Sequence, residues 1–220
     1  FDKISGRSLL EKSGIQIIRD ISVPGSNSRV IISAGRVDER LKANLREDLI
    51  KCCGTDAATA SQLVDVVLQD VLQISGQKVL AAARFANASR EMIGLSVMRA
   101  VLESSLPQGQ AGLSQPIWFS LDDYRGWFVS GSGKIADAVA MTVLDQADGF
   151  ELIIQVGEAK FISLNSQQAE TKDAQQQVRD TVARLRRIFV DNHDPISRSA
   201  WCTRLADLLV NRDGLSERLP

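Results

Sequence analysis

The feature that most constrains the fold is a pair of apolar segments separated by a short turn. Residues 136–144 read ADAVAMTVL and residues 150–156 read FELIIQV, and both segments are typical of buried β-strands. Between them, residues 147–149 read ADG, which is typical of a hairpin turn. The sequence therefore predicts an antiparallel hairpin whose two strands lie inside the protein.

Charged residues mark the open end of this hairpin. Counted from the centre of the turn, Asp137 lies about eleven residues before it and Glu158 about ten residues after it. This register places both carboxylates at one end of the sheet, within reach of each other. Lys160 points to the same side of an extended chain as Glu158. Two carboxylates and a lysine in this arrangement predict a site for a hard divalent cation, where the lysine orients water or stabilises negative charge.

The rest of the chain is predicted to form further helices and strands. Val178, Val182, Leu185 and Phe189 share one helical face, which is expected to lie on the sheet. The chain order predicts a mixed α/β core with a helical N-terminal extension, divided into residues 1–76 and 77–220. The predicted strands cover residues 15–21, 29–34, 117–121 and 126–130, and the predicted helices cover residues 37–51, 56–74, 77–106, 167–190 and 199–211.

Composition excludes several classes of protein. The 220 residues carry a net charge of −1, so a nucleic-acid role needs a local basic patch rather than a global field. The three cysteines lack metal-binding spacing, and the single histidine, His193, excludes a histidine-rich metal site. No apolar run is long enough for a membrane span, and we expect a cytoplasmic protein. Because the chain begins at Phe1 rather than at methionine, we expect it to be a fragment of a longer protein.

Two further features each allow two interpretations. The segment from Lys172 to Arg187 has a local charge of +3, which could contact phosphates or could be a solvated helix face. Trp118, Tyr124 and Trp127 could stack on an exposed base or could belong to the core.

The motif formed by Asp137 and, about twenty residues later, Glu158-Ala159-Lys160 resembles the PD-(D/E)xK nuclease superfamily. The resemblance covers roughly residues 77–190 and departs from the family pattern at Ala136, where proline is usual. It implies a restriction-endonuclease-like mixed sheet flanked by helices. It also implies a nuclease that hydrolyses DNA phosphodiester bonds with Mg²⁺ or Mn²⁺.

The resemblance also implies roles for individual residues. Asp137 and Glu158 are expected to hold the metal together with the backbone carbonyl of Ala159, and Lys160 to position or activate water. Glu91, in SREMIGL, resembles the acidic residue that the family carries on an earlier helix. In the RecB-like branch a glutamine follows the lysine, and Gln177, with Val178 next to it and Thr181 four positions on, fits that pattern. Gln175 remains the alternative.

A narrower resemblance rests on the phrases FSLDDYRGWF and VGEAKF, which look like the nuclease region of DptH-type restriction proteins linked to DNA phosphorothioation. It implies a role in a bacterial defence complex with partner subunits or an attached ATPase domain. The alternative is a non-catalytic α/β scaffold of a DNA-processing assembly. In that case the helices of residues 37–106 are the docking surface and the acidic cluster is vestigial.

Overall fold

A computed structural model describes most of the chain. The N-terminal strands β1 (Ile15–Asp20) and β2 (Arg29–Ala34) form an antiparallel hairpin, as the sequence predicts. The strand predicted at residues 126–130, together with Trp127 and His193, lies outside the described residues. The structure describes residues 15–20, 29–34, 39–84, 88–107, 109–125, 133–161, 167–191 and 194–213.

Helices follow the first hairpin. Helix α1 spans Glu39–Cys53, and α2 spans Ala57–Ile74. The carboxylate of Asp56 caps α2 by accepting hydrogen bonds from the backbone N–H groups of Ala58 and Thr59, each at 2.9 Å. This cap explains why the predicted beginning of α2 is correct.

The single long helix predicted over residues 77–106 is wrong. Two helices occupy this region, α3 (Gly76–Arg84) and α4 (Ala88–Ser104). The apolar rhythm of the segment continues past the interruption, so periodicity alone does not reveal it. Lys78 on α3 forms an ion pair with Glu91 on α4, whereas 13 residues along one straight helix would place the two about 20 Å apart.

The second sheet has the order β3-β4-β5, with β3 at Ile117–Ser120, β4 at Ala138–Gln146 and β5 at Gly149–Gly157. Both strand pairs are antiparallel, and Ala138 lies opposite Gly157. The predicted central hairpin is therefore confirmed. A mixed sheet needs a parallel pair, and the strands within the described ranges form none.

The sheet lies between two helical layers. Alternate residues of β4 point to opposite faces. Ala138 and Ala140 pack into a core cluster formed by α1 to α4, whereas Val139 and Met141 pack on the other side, with Leu185. The helices on both sides of the predicted boundary at residues 76 and 77 thus share one core. The protein is an α/β structure with a three-layer arrangement around β4.

Strand β5 is only half buried, so its predicted complete burial is wrong. Phe150 is 77% exposed, and the first four residues of β5 are exposed to solvent. The reason is that β5 lies at the edge of the described sheet, with the turn end beyond its helical cover. Burial increases toward Gly157, where a Cβ atom would lie 2.8 Å from the Cγ atom of Met98 on α4. The strand and α4 are therefore closest at the end that carries Glu158.

Helix α5 spans Gln167–Phe189, and its buried face differs from the predicted apolar stripe. The buried residues are Gln177, Thr181 and Leu185, whereas Val182 is 46% exposed. The predicted stripe is confirmed at Leu185, Val178 and Phe189, which pack in one cluster with residues of the sheet, and it is wrong at Val182. Backbone groups next to β4 require polar partners on this face, and Gln177 and Thr181 supply them.

The last described helix, α6, spans Pro195–Asp213 and begins four residues earlier than predicted. Proline is well tolerated at the first helical position. Asp194 caps the helix, because its carboxylate accepts hydrogen bonds from the backbone N–H groups of Ile196 and Ser197. Among the residues that the structure describes, no helix combines the length and the apolar character that a membrane crossing requires.

Candidate functional site

The open end of the β4-β5 hairpin brings Asp137 and Glu158 together. Asp137 directly precedes β4 and Glu158 directly follows β5, so the two residues continue the register in which Ala138 lies opposite Gly157. The Oδ2 atom of Asp137 accepts a hydrogen bond from the backbone N–H of Ala159 at 2.8 Å. This bond joins the beginning of one strand to the end of the other. It therefore fixes the carboxylate of Asp137 beside the segment that carries Glu158.

Lys160 forms an ion pair with Glu158, with 2.8 Å between its Nζ atom and the Oε1 atom of Glu158. The side chain of Glu158 is only 3% exposed, whereas that of Lys160 is 29% exposed. The second carboxylate oxygen of Glu158, Oε2, is buried and has no hydrogen-bond partner among the described residues. A buried carboxylate oxygen without a partner is unusual, because desolvation without a compensating bond is costly. This atom and Oε1 of Gln177 are the buried acceptors of the site that lack a partner among the described residues.

Burial favours a positive charge at both carboxylates, and the charge of Asp137 adds to this effect at Glu158. Burial raises the pKa of Glu158 to about 7, and the negative charge of Asp137 adds to the effect, which the hydrogen bond from Lys160 only partly offsets. Burial also raises the pKa of Asp137, against the opposing hydrogen bond from Ala159. Binding of a proton or another cation to either carboxylate is therefore favoured over leaving both carboxylates negatively charged.

Lys78, on α3, lies next to this pair and is already bound to two other carboxylates. Its Nζ atom donates hydrogen bonds to Oε1 of Glu91 and, at 3.2 Å, to Oδ2 of Asp122. Burial lowers the pKa of Lys78, but the bond and charge of Glu91 with the charge of Asp122 outweigh this effect and raise it. The charges of Lys78, Glu91 and Asp122 all act on Asp137. The structure thus pairs Glu91 with a lysine beside the two carboxylates.

Sequence reasoning misses Lys78 as a neighbour of the site, whereas it allows Asp122 a place near the metal without choosing it as a ligand. Asp122 carried a weak signal, since it follows β3, whose Ser120 pairs with Ala138 at the beginning of β4. In addition, the backbone N–H of Leu121 donates a hydrogen bond to the carbonyl of Asp137 at 2.9 Å. Lys78 had no signal, because a lysine in a helix is usually a solvated side chain.

Helix α5 supports the segment that leads to Asp137. The Nε2 atom of Gln177 donates a hydrogen bond to the carbonyl of Ile135 at 3.3 Å, and the hydroxyl of Thr181 accepts one from the backbone N–H of Ala136 at 2.9 Å. Gln177 is buried, whereas the alternative, Gln175, is exposed. The structure therefore makes Gln177 and Thr181 positioning residues for Asp137, and it describes no hydrogen bond from Gln177 to either carboxylate.

Thr181→Val is expected to destabilise the protein by about 1–3 kcal/mol. Valine has nearly the shape of threonine but leaves the buried N–H of Ala136 without an acceptor. Thr181→Ser is the matched control, since it keeps the hydroxyl and removes one methyl group, with an expected loss of about 1 kcal/mol or less. Urea unfolding followed by tryptophan fluorescence measures both. Equal stability of the two variants would show that the hydroxyl does not hold this segment.

The site fits a cation bound by two carboxylates better than one bound by three. No group of three or more His, Cys, Asp or Glu side chains with metal-binding geometry occurs within the described part of the chain. Asp137 and Glu158 remain as oxygen donors, with the unpartnered Oε2 atom of Glu158 as the observation that favours a bound cation. Because Glu91 is bound to Lys78, it is not available as a third ligand in this arrangement.

Comparison with known proteins does not identify a relative. No protein-family model, curated protein or solved structure matches this chain. The geometry of the carboxylate pair and of Lys160 is therefore the basis on which a function can be proposed.

Proposed function

We propose that this chain is a metal-dependent nuclease domain that hydrolyses DNA phosphodiester bonds. The observation that carries the proposal is the carboxylate pair at the open end of the β4-β5 hairpin, in which Asp137 is half-buried and the side chain of Glu158 is buried. Oε2 of Glu158 has no partner among the described residues, and Lys160 lies at the solvent side of the pair. Carboxylates, a divalent cation and a lysine form the minimal set for assisted attack of water on a phosphodiester.

The position of each site residue indicates its role in the proposed reaction. Asp137 and Glu158 would hold Mg²⁺ or Mn²⁺, which supplies stabilisation of the negative charge that develops on the phosphate. Lys160 keeps a partly exposed ammonium 2.8 Å from Glu158, where it can donate a hydrogen bond to water or to a phosphate oxygen. Gln177 holds the backbone before Asp137 through the carbonyl of Ile135.

The DNA would approach along surfaces with local positive charge. Arg179 and Arg187 are exposed on α5, which packs against the sheet beside the site. Exposed arginines of this kind bind phosphates without reading the sequence. Sequence selection would then come from partner subunits or from an attached ATPase domain, as in the bacterial restriction complexes that the chain resembles, which act in the cytoplasm.

Cleavage of supercoiled plasmid tests the proposal directly. With Mg²⁺ or Mn²⁺ the wild-type chain is expected to nick the plasmid, and Lys160→Ala is expected to slow nicking by about 10²–10³-fold. Lys42→Ala, which removes a lysine paired with Asp65 between α1 and α2, away from α5, is the control and is expected to stay within about threefold of the wild type. An intact plasmid with the wild-type chain, cleavage that survives EDTA, or a Lys160→Ala variant as fast as the wild type would overturn the proposal.

One observation favours the second candidate, a non-catalytic scaffold. Lys78 supplies a protein cation between Glu91 and Asp122, so part of the acidic cluster is already neutralised without a metal. A scaffold would use the helices α1 to α4 for docking, and α4 does expose Val97 and Val101. A scaffold predicts that Mn²⁺ changes neither the melting temperature of the wild type nor that of an Asp137→Asn variant, whereas a nuclease predicts a rise in the wild type alone.

A further inference from the structure

A pocket of about 260 Å³ opens directly beside the carboxylate pair. Its lining includes Glu91, which binds Lys78, and Ala159, which donates its N–H to Asp137. The other lining residues are Arg90, Gly94 and Phe161. The pocket is therefore continuous with the proposed catalytic site, and its occupant would lie next to the reacting group.

Backbone and small side chains form the floor of this pocket. A Cβ atom at Gly94 would lie 3.4 Å from the Cβ atom of Ala159, so α4 and the segment after β5 approach each other closely here. Larger side chains at either position would fill the space. Pockets for drug-sized ligands cover roughly 300–1,000 Å³, so this one has the size for a single planar ring system such as a nucleobase.

Arg90 is held in place at the rim. Its Nε atom donates a hydrogen bond to Oδ1 of Asp48 at 3.0 Å, and the buried Asp48 also accepts a bond from the hydroxyl of Ser89. The terminal nitrogens of Arg90 make no hydrogen bond to any residue that the structure describes, and its side chain is 49% exposed. Arg90 thus presents a fixed guanidinium with donors that face solvent, which suits a phosphate.

Phe161 also lines the pocket, next to Arg90. Phe161 directly follows Lys160 and is 45% exposed. Its ring centroid lies 5.9 Å from the guanidinium carbon of Arg90. An exposed aromatic ring next to a fixed cation is a common arrangement for stacking a nucleobase. Of the aromatic residues considered from the sequence, Trp118 and Tyr124 do not serve here, because both are buried in the core.

We propose that this pocket binds an unpaired nucleotide of the DNA strand, next to the phosphate that is cut. The base stacks on Phe161 and its phosphate contacts the guanidinium of Arg90. A paired base cannot enter, because it is stacked between its neighbours in the duplex. The substrate class is therefore DNA with a single-stranded or frayed segment. This inference rests on the proposed nuclease function.

Binding of a single-stranded oligonucleotide that carries 2-aminopurine tests the inference without cleavage, in buffer with EDTA. The wild-type chain is expected to bind the single strand more tightly than the matching duplex and to quench the 2-aminopurine fluorescence. Phe161→Ala is expected to weaken single-strand binding by about 5- to 150-fold and to abolish the quenching, whereas Phe161→Trp retains both. Arg90→Ala is expected to weaken binding and to reduce the salt slope by about 1.

The control is Val97→Ala, an exposed apolar residue on the same helix as Arg90 but outside the pocket. It is expected to bind like the wild type. If Phe161→Ala binds and quenches like the wild type, if the duplex binds more tightly than the single strand, or if the single strand does not bind, the inference is overturned. The plasmid assay decides the nuclease proposal separately, because Mg²⁺-dependent nicking that Lys160→Ala removes can persist in each of these cases.

Discussion

Asp137→Asn is expected to slow plasmid cleavage by at least about 10³-fold while the protein remains folded. Asparagine keeps the size of the side chain and an oxygen that can accept the hydrogen bond from the N–H of Ala159, but it removes the negative charge. One of the two oxygen donors of the proposed cation site is then neutral. In addition, the loss of this charge lowers the pKa of Glu158, which Asp137 now helps to raise.

The control for this variant is Asp148→Asn, which changes an exposed aspartate in the turn at the other end of the same hairpin. It is expected to cleave like the wild type. Initial rates of nicking with Mg²⁺, together with the melting temperature of each variant, separate an effect on catalysis from an effect on folding. An Asp137→Asn variant that nicks at the rate of Asp148→Asn would exclude this carboxylate from the reaction.

Glu158→Gln is expected to remove the part of the pH dependence of stability that comes from the carboxyl group of Glu158. The folded protein raises the pKa of Glu158 from 4.5 to about 7, so it binds this proton more tightly than the unfolded chain does. The bound proton stabilises the folded state fully below about pH 4.5, and this contribution is lost as the pH rises through about 7. Above that pH the buried charge opposes folding by on the order of 2–3 kcal/mol, and glutamine removes this cost.

Urea unfolding without metal at pH 5 and pH 8 measures the effect. The difference in unfolding free energy between Glu158→Gln and the wild type is expected to shift in favour of the variant by on the order of 2–3 kcal/mol between the two pH values. Glu151→Gln, at an exposed position of β5, is the control and is expected to keep the pH dependence of the wild type. A pH-independent difference for Glu158→Gln would contradict the assigned environment of this carboxylate.

The hairpin that carries the site could be predicted because its information is local. The turn over residues 147–149 contains Gly149, whose φ of +146° is a conformation that side-chain-bearing residues rarely adopt. Once the turn is placed, the register follows by counting, and the positions of Asp137 and Glu158 follow from the register. The register of the hairpin thus predicts that Asp137 and Glu158 are neighbours in space.

The family resemblance singles out Gln177 and Thr181, but the hydrophobic pattern does not predict the supporting contacts, because these depend on tertiary structure. The apolar rhythm of α5 favours Val182 as a buried residue, yet Thr181 is buried because the N–H of Ala136 requires an acceptor. Likewise, Lys78 and Asp122 are 44 residues apart and meet only when α3 and the end of β3 are in place. The spacing of residues along a single sequence does not reveal such pairs.

The position of Mn²⁺ in crystals soaked with this ion tests the central claim most directly. We expect an anomalous difference peak bonded to a carboxylate oxygen of Asp137 and to Oε2 of Glu158, at the roughly 2.0–2.2 Å typical of small divalent cations with oxygen ligands. Crystals of Asp137→Asn soaked in the same way should lack this peak. Crystals of the wild type soaked at pH 8 without a peak between the two carboxylates would contradict the proposed cation site.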